Sequence, residues 1–285
     1  MPNPAVGAHN IGGQAVGTST FTTATGFNSA ASGSSYLLLV TTNNVAPTLS
    51  ITSDTYNPVA NWTTPTLTTG SNPVQEPISG GYLQALLLVN GAGGSNYQVT
   101  VHNGAGSILS VAFVEIQNAN TSAPIDVSGS ADASASPYYP VNVSVTPVQA
   151  GDLIIACAES QTNATAITPG TGSGFTGLDS YAANATALAT ATLSGASTTT
   201  YNAAMTNGTV GGLAGITIAF KAAGGAVTPK PVLSGGKVLV SGGHVVTGAL
   251  MFMPLRWIMD RRDKLARERK AAGIVIPNQG KISDR

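Results

Sequence analysis

Tyr82-Leu-Gln-Ala-Leu-Leu-Leu-Val89 is apolar along almost its whole length, and Asp152-Leu-Ile-Ile-Ala-Cys-Ala158 repeats the pattern seventy residues later. Runs of this length, with branched side chains and bounded by Gly, Asn and Ser clusters, are too short for buried helices and suit strands covered on both faces. Outward from them the chain keeps the same rhythm. Tyr36-Leu-Leu-Leu-Val40, Ile108 to Ile116 and Leu213 to Phe220 are further apolar runs. Tyr97-Gln-Val-Thr-Val101 and Val141-Asn-Val-Ser-Val145 alternate apolar with polar, the period of two that marks a half-buried strand. No long amphipathic helix separates these runs before residue 221. The expected fold is therefore mainly β, an antiparallel two-sheet, jelly-roll-like sandwich over residues 1–221.

Charge divides the chain more sharply than hydropathy does. The 285 residues carry 12 Lys and Arg against 12 Asp and Glu. All the cations lie at or beyond Lys221, while eight of the acids (Asp54, Glu76, Glu115, Asp126, Asp132, Asp152, Glu159, Asp179) precede it. The first 220 residues thus sum to −8 and the remainder, with four acids, to +8. Charged residues make up only 8% of the whole, where a soluble domain usually has about 25%. The body's surface must be neutral and rich in Ser, Thr and Asn. With no cation to neutralise phosphate, the body is excluded as a nucleic-acid binder.

The single cysteine, Cys157, excludes an internal disulfide framework, and its apolar neighbours mark it as a small buried side chain. Met1 to Asn10 has neither the basic nor the apolar region of a secretory leader. The six Asn-x-Ser/Thr sites (Asn61, Asn120, Asn142, Asn163, Asn184, Asn207) are accordingly compositional rather than glycosylated.

Past the body, residues 222–245 form a Gly/Ser-rich linker. It holds two Ser-Gly-Gly units, at 234–236 and 241–243, each after a short Val/Leu run, which predicts a small β ribbon that must pair with something else to be stable. Residues 246–285 form a basic tail with one predicted helix from Pro254 to Ala272. Pro254 suits the first helical position, Gly273 the position past the end, and Arg267, Arg269 and Lys270 the last turns, where the helix dipole favours cations. Asp260 with Lys264 and Asp263 with Arg267 are supporting pairs at i,i+4.

Chemistry-bearing constellations are sparse. His9, His102 and His244 have no metal-ligand spacing, and no cofactor site is expected. A sandwich glycosidase needs two carboxylates about 5–10 Å apart, and nothing in the spacing of Glu115 and Glu159 brings them together. Gly170-x-Gly172-x-Gly174 opens no helix and fits a turn better than a phosphate cradle. No enzymatic activity is expected. Trp62 and the Tyr138-Tyr139 pair, in Pro/Asn/Thr-rich loops, are the candidate contacts for a glycan. In the tail, Gly242 to Leu255 is too short to span a membrane, which takes about 20 residues, and interspersed acids disfavour membrane-surface or DNA contact. Met251, Phe252, Met253, Leu255, Trp257 and Ile258, rimmed by Arg261 and Arg262, instead fit a protein-docking patch.

Several stretches carry a resemblance: Ser110-Val-Ala-Phe-Val-Glu-Ile-Gln-Asn118, Pro124-Ile-Asp-Val-Ser128, Gly151-Asp-Leu-Ile-Ile-Ala156, Pro169-Gly-Thr-Gly-Ser-Gly-Phe-Thr176 and the closing Ile216-Thr-Ile-Ala-Phe-Lys221. Over about residues 20–221 the chain resembles the jelly-roll, concanavalin-like sandwiches of phage and prophage virion structural proteins. The resemblance implies a fold more than an activity. It leads to the expectation of a virion protein, a capsid decoration, head spike or fibre made in the host cytoplasm. Its partners would be other virion proteins and copies of itself. A module recognising host-surface glycans is the alternative.

Overall fold

The computed structural model describes residues 2–222 except 25, 31, 44, 134–139, 162–164, 171–172, 184–185 and 208–210. These lie in the first of the two units into which the chain divides, Met1–Val227. The linker ribbon and the tail helix expected from the sequence fall outside the described residues.

The body is mainly β, with seventeen strands in four antiparallel sheets among the described residues. One large sheet runs β1 (Ala5–Thr18), β9 (Ile108–Gln117), β3 (Ser32–Thr42), β7 (Tyr82–Ala92), β5 (Trp62–Thr63), with β6 (Val74–Gln75) also on β7. Over it lies a small sheet in the order β2 (Thr20–Thr22), β8 (Val99–Asn103), β4 (Leu49–Asp54). The second large sheet runs β10 (Ile125–Asp132), β17 (Ala214–Phe220), β12 (Asp152–Ser160), β15 (Thr186–Ala196), β14 (Thr176–Ala183). Its small companion runs β11 (Val141–Val145), β16 (Tyr201–Thr206), β13 (Thr168–Pro169).

The two halves have the same plan. With β6 set aside, the first nine strands match the last eight one for one in chain order. The same order 1-8-3-6-5 builds each large sheet and the same order 2-7-4 builds each small one, counting within each half. The expectation of one two-sheet sandwich is therefore corrected to two sandwiches, a first lobe over Ala5–Gln117 and a second over Ile125–Phe220. The lobes are stacked through their large sheets: β1 lies against β14, β9 against β15, β7 against β17 and β6 against β10. The two large sheets thus meet in opposite lateral order.

This stacking is why the central runs are apolar throughout. Successive strand side chains point to opposite faces. On β3, Leu37 and Leu39 enter the core between the lobes, while Tyr36, Leu38 and Val40 enter the core of the first lobe. On β7, Leu83, Ala85 and Leu87 face the other lobe, and Leu86 and Leu88 face the small sheet. On β12, Leu153, Ile155 and Cys157 meet the first lobe from the other side, and Ile154 and Ala158 face the small sheet of the second lobe. A strand buried on both faces cannot show alternation. Cys157 is 1% exposed, and burial pushes its thiol well above its usual pKa. Fully burying a Leu or Ile is worth about 1.5–3 kcal/mol, so the inter-lobe core, which holds Leu37, Leu39, Leu83, Leu87, Leu153, Ile155, Leu188, Ile216 and Ile218, binds the two lobes firmly together.

Candidate functional site

Of the residues that the sequence nominates for ligand contact, only Trp62 lies among those described; Tyr138, Tyr139 and the docking set Met251, Phe252, Met253, Leu255, Trp257, Ile258, Arg261 and Arg262 lie outside them. Trp62 is buried at 9% exposure. Its indole N–H donates to Asp54 Oδ2 at 2.8 Å, and its ring packs 6.3 Å from that of Phe113. The Tyr97 hydroxyl donates to the same Oδ2 at 2.8 Å, and the Tyr56 and Asn57 amides donate to Oδ1 at 2.9 Å each. Burial, and then the Asp54 charge, push the Tyr97 phenol far above its usual pKa. Asn57 clasps Ala92 through both main-chain groups, at 2.8 and 2.9 Å, and the Tyr56 hydroxyl donates to Ser95 O at 2.8 Å. The connection from β4 to β5 thereby seals one corner of the first lobe against the β7–β8 hairpin.

Among the described residues, the same corner of the second lobe is open. Here the connection from β13 to β14 carries Gly170, Ser173 and Gly174 where the first lobe has Tyr56 and Asn57. A groove of about 460 Å³ remains between it and the β15–β16 hairpin, lined further by Leu193, Thr200, Tyr201, Asn202 and Ala204. The ladder between β13 and β16 ends early. After Pro169 pairs with Met205, Gly170 N donates to Ala204 O at 2.6 Å, and no described pairing continues towards Tyr201 on that side. Gly174 has φ +78°, a left-handed conformation that favours glycine, and a Cβ there would meet Leu193 at the groove floor.

Each polar group in the groove is fixed. The Tyr201 hydroxyl accepts the Ser197 amide at 2.8 Å and lies 3.0 Å from Ser197 Oγ. The Thr200 hydroxyl pairs with that of Thr146 at 2.8 Å, and the Asn202 amide donates to Asn142 Oδ1 at 3.1 Å. None of the lining residues is charged. The sequence signal that could have found them is the same one that singled out Trp62, an aromatic beside a hydroxyl-rich turn: Ser197-Thr-Thr-Thr-Tyr-Asn202.

The three glutamates of the described residues lie inside the fold. Glu115 is 0% exposed and accepts from Ala30 N at 2.8 Å, Ser34 Oγ at 2.7 Å, Ala8 N at 2.9 Å and Gln117 Nε2 at 3.3 Å. It ties β1, the segment before β3 and β9 together. Gly7 allows this, since a Cβ there would overlap Glu115 Oε2. By strand alternation Glu115 shares the Phe113 face of β9, toward the small sheet, whereas Glu159 shares the Cys157 face of β12, toward the other lobe; the two do not face one another. Glu159 is also 0% exposed, and neither of its oxygens has a hydrogen-bond partner among the described residues. Burial, and then the charge of Glu76, push its pKa well above the carboxylate range. Glu76 is itself 0% exposed, accepting from Ile78 N at 3.1 Å, Ser79 N at 2.8 Å and the Ser79 hydroxyl. His9 bonds Asp179 at 2.8 Å, joining β1 to β14 across the lobes. Among the described residues no group of three or more His, Cys, Asp or Glu could hold a metal ion.

No family model, no curated protein and no solved structure matches the chain.

Proposed function

We propose that the chain is a non-enzymatic structural protein of a phage virion, a capsid decoration, head spike or fibre, that displays its neutral double sandwich and docks through the C-terminal tail. The observation that carries this reading is the repeated strand plan. Eight strands per lobe, wound so that the first pairs with the last and the second with the seventh, is the arrangement of a jelly roll, an architecture used by viral capsid and lectin domains. In this chain the strands divide five and three between the sheets of each lobe. Fold alone does not establish function, and two further features support the same reading. The display surface carries no cation before Lys221, and the tail gathers an apolar, aromatic patch around Trp257 with a basic rim. That patch is suited to a protein partner with a matching surface. The three glutamates among the described residues, Glu76, Glu115 and Glu159, are each 0% exposed, in keeping with a structural role.

A carbohydrate-binding role is the second reading, favoured by the neutral groove at Tyr201. The two are compatible, since a displayed protein can also recognise the cell surface. Quantitative mass spectrometry of washed particles produced by the genome that encodes the chain tests the first reading. It requires the protein at a fixed copy number per particle, and its loss on washing refutes it.

A further inference from the structure

One corner of this fold is built twice and finished differently. In the first lobe Tyr56, Asn57 and Trp62 fill the space between the fourth-to-fifth-strand connection and the following hairpin, and Asp54 accepts their hydrogen bonds. In the second lobe the corresponding connection has small residues, and the space is an open groove. A sandwich that needed the corner closed for stability has the means to close it in the first lobe, so the open copy is available for a ligand.

We propose that this groove binds an uncharged saccharide, with the ring of Tyr201 as the stacking face. The proposal deepens the carbohydrate-binding reading above and rests on it. A sugar ring presents an apolar C–H face and a rim of hydroxyls, each both donor and acceptor. The groove offers the complement of both. Tyr201, Leu193 and Ala204 supply apolar surface, and a tyrosine combines such surface with a polar tip. The two bonds from Ser197 hold that tip, and so fix the plane of the ring before a ligand arrives. Thr200, Asn202 and Ser173 supply groups that donate and accept, and the Asn202 amide, which has two donors and an acceptor oxygen, uses one donor on Asn142 and keeps capacity for a ligand. The volume, about 460 Å³, falls within the about 300–1,000 Å³ of small-ligand sites. Charge selects the class of sugar. No lining residue is charged, and the first 220 residues hold eight acids and no base, so a sialic or uronic acid would find repulsion and no partner.

The test is titration of the full chain, by saturation-transfer NMR and calorimetry, with lactose, maltose, cellobiose and diacetylchitobiose, with sialyllactose as the anionic probe and an uncharged extended hexapeptide as a probe of the open β16 edge. We expect at least one neutral disaccharide to bind. Tyr201→Ala should weaken it about tenfold or more, as removal of a central aromatic contact does, and Asn202→Ala, at an exposed position that leaves the fold intact, by about fivefold. Tyr201→Phe should keep most of the affinity. If a sugar binds and neither alanine variant changes it, the groove is the wrong site although the carbohydrate reading stands. If no sugar binds, both fail. Tighter binding of sialyllactose or of the hexapeptide overturns the proposal in favour of an anionic sugar or an added strand.

Discussion

Glutamine in place of Glu115 keeps the shape of the side chain and removes half of its acceptors. In the native lobe one oxygen accepts from Ala30 N and Ser34 Oγ and the other from Ala8 N and Gln117 Nε2. Whichever way the new amide turns, its NH₂ group faces a main-chain N–H, of Ala30 or of Ala8, that has lost its acceptor. The Ser34 hydroxyl can rotate to accept, but a main-chain amide cannot. Hydrogen bonds to a charged group are worth about 1.5–3 kcal/mol each, so losing the equivalent of two in a fully buried site should cost about 3 kcal/mol or more. For a body of this size each kcal/mol lowers Tm by about 2–4 °C, which gives a fall of about 6–12 °C. Calorimetry and urea unfolding of the two proteins at pH 7 measure it. A Tm within about 2 °C of the parent would refute the reasoning, because it would mean that the carboxylate does not hold β1 and the segment before β3 to β9. Gly7→Ala, which forces a Cβ against the same oxygen, should destabilise in the same direction.

Glu159→Gln should have the opposite sign. Its carboxyl is buried with no hydrogen-bond partner among the described residues, and its folded pKa is raised, first by burial and then by Glu76; the stability it contributes is complete below the ordinary glutamate range and is lost as pH rises toward the folded value. The parent should therefore lose stability from mildly acidic to neutral pH, and the variant should be more stable than the parent at pH 7 with a flatter profile; a variant less stable at pH 7 with an unchanged slope would contradict this. Phe113→Ala removes a ring that is 0% exposed, stacked 4.2 Å from Phe27 and edge-on to Tyr97 at 5.3 Å. It should cost about 3–5 kcal/mol in equilibrium urea unfolding, and a loss below about 1 kcal/mol would show that the first-lobe core does not depend on this cluster.

The strands that are legible in the sequence are those whose side chains are large. Tyr36–Val40, Tyr82–Val89, Ile108–Ile116, Val141–Val145 and Asp152–Ala158 all fall inside observed strands. The strands that escape are made of small residues. β1 contains four glycines in fourteen residues, and β15, Thr-Ala-Leu-Ala-Thr-Ala-Thr-Leu-Ser-Gly-Ala, buries alanines that carry little hydropathy signal. The second sandwich was illegible for a different reason. The repeat lies in how strands are ordered across sheets, and hydropathy along the chain reports which residues are buried but not which strands are neighbours. The apolar runs did hold the clue, since a strand covered on both faces requires more than one two-sheet layer. At the candidate site, Trp62 looked like a loop aromatic because its neighbours are Asn, Thr and Pro; Asp54, eight residues earlier, is what draws it inward. Tyr201 stands in the same kind of sequence and stays at the rim, because its hydroxyl is held by the adjacent turn at Ser197 rather than by a buried carboxylate.

The virion reading stands or falls on how the tail attaches. The most direct measurement is the copy number per particle, by quantitative mass spectrometry at two salt concentrations, for the parent chain, for Trp257→Ala with Ile258→Ala, and for Arg267→Gln with Lys270→Gln. Truncating buried aromatic and aliphatic anchors typically costs about 2 kcal/mol or more, whereas exposed charges contribute about 0–1 kcal/mol and are screened by salt. Docking through the apolar patch therefore predicts that the first pair of substitutions abolishes incorporation while the chain stays folded and β-rich. The second pair should reduce incorporation only modestly, and mainly at low salt. Full incorporation of the Trp257/Ile258 variant, or a larger defect from the charge variant, would contradict the account.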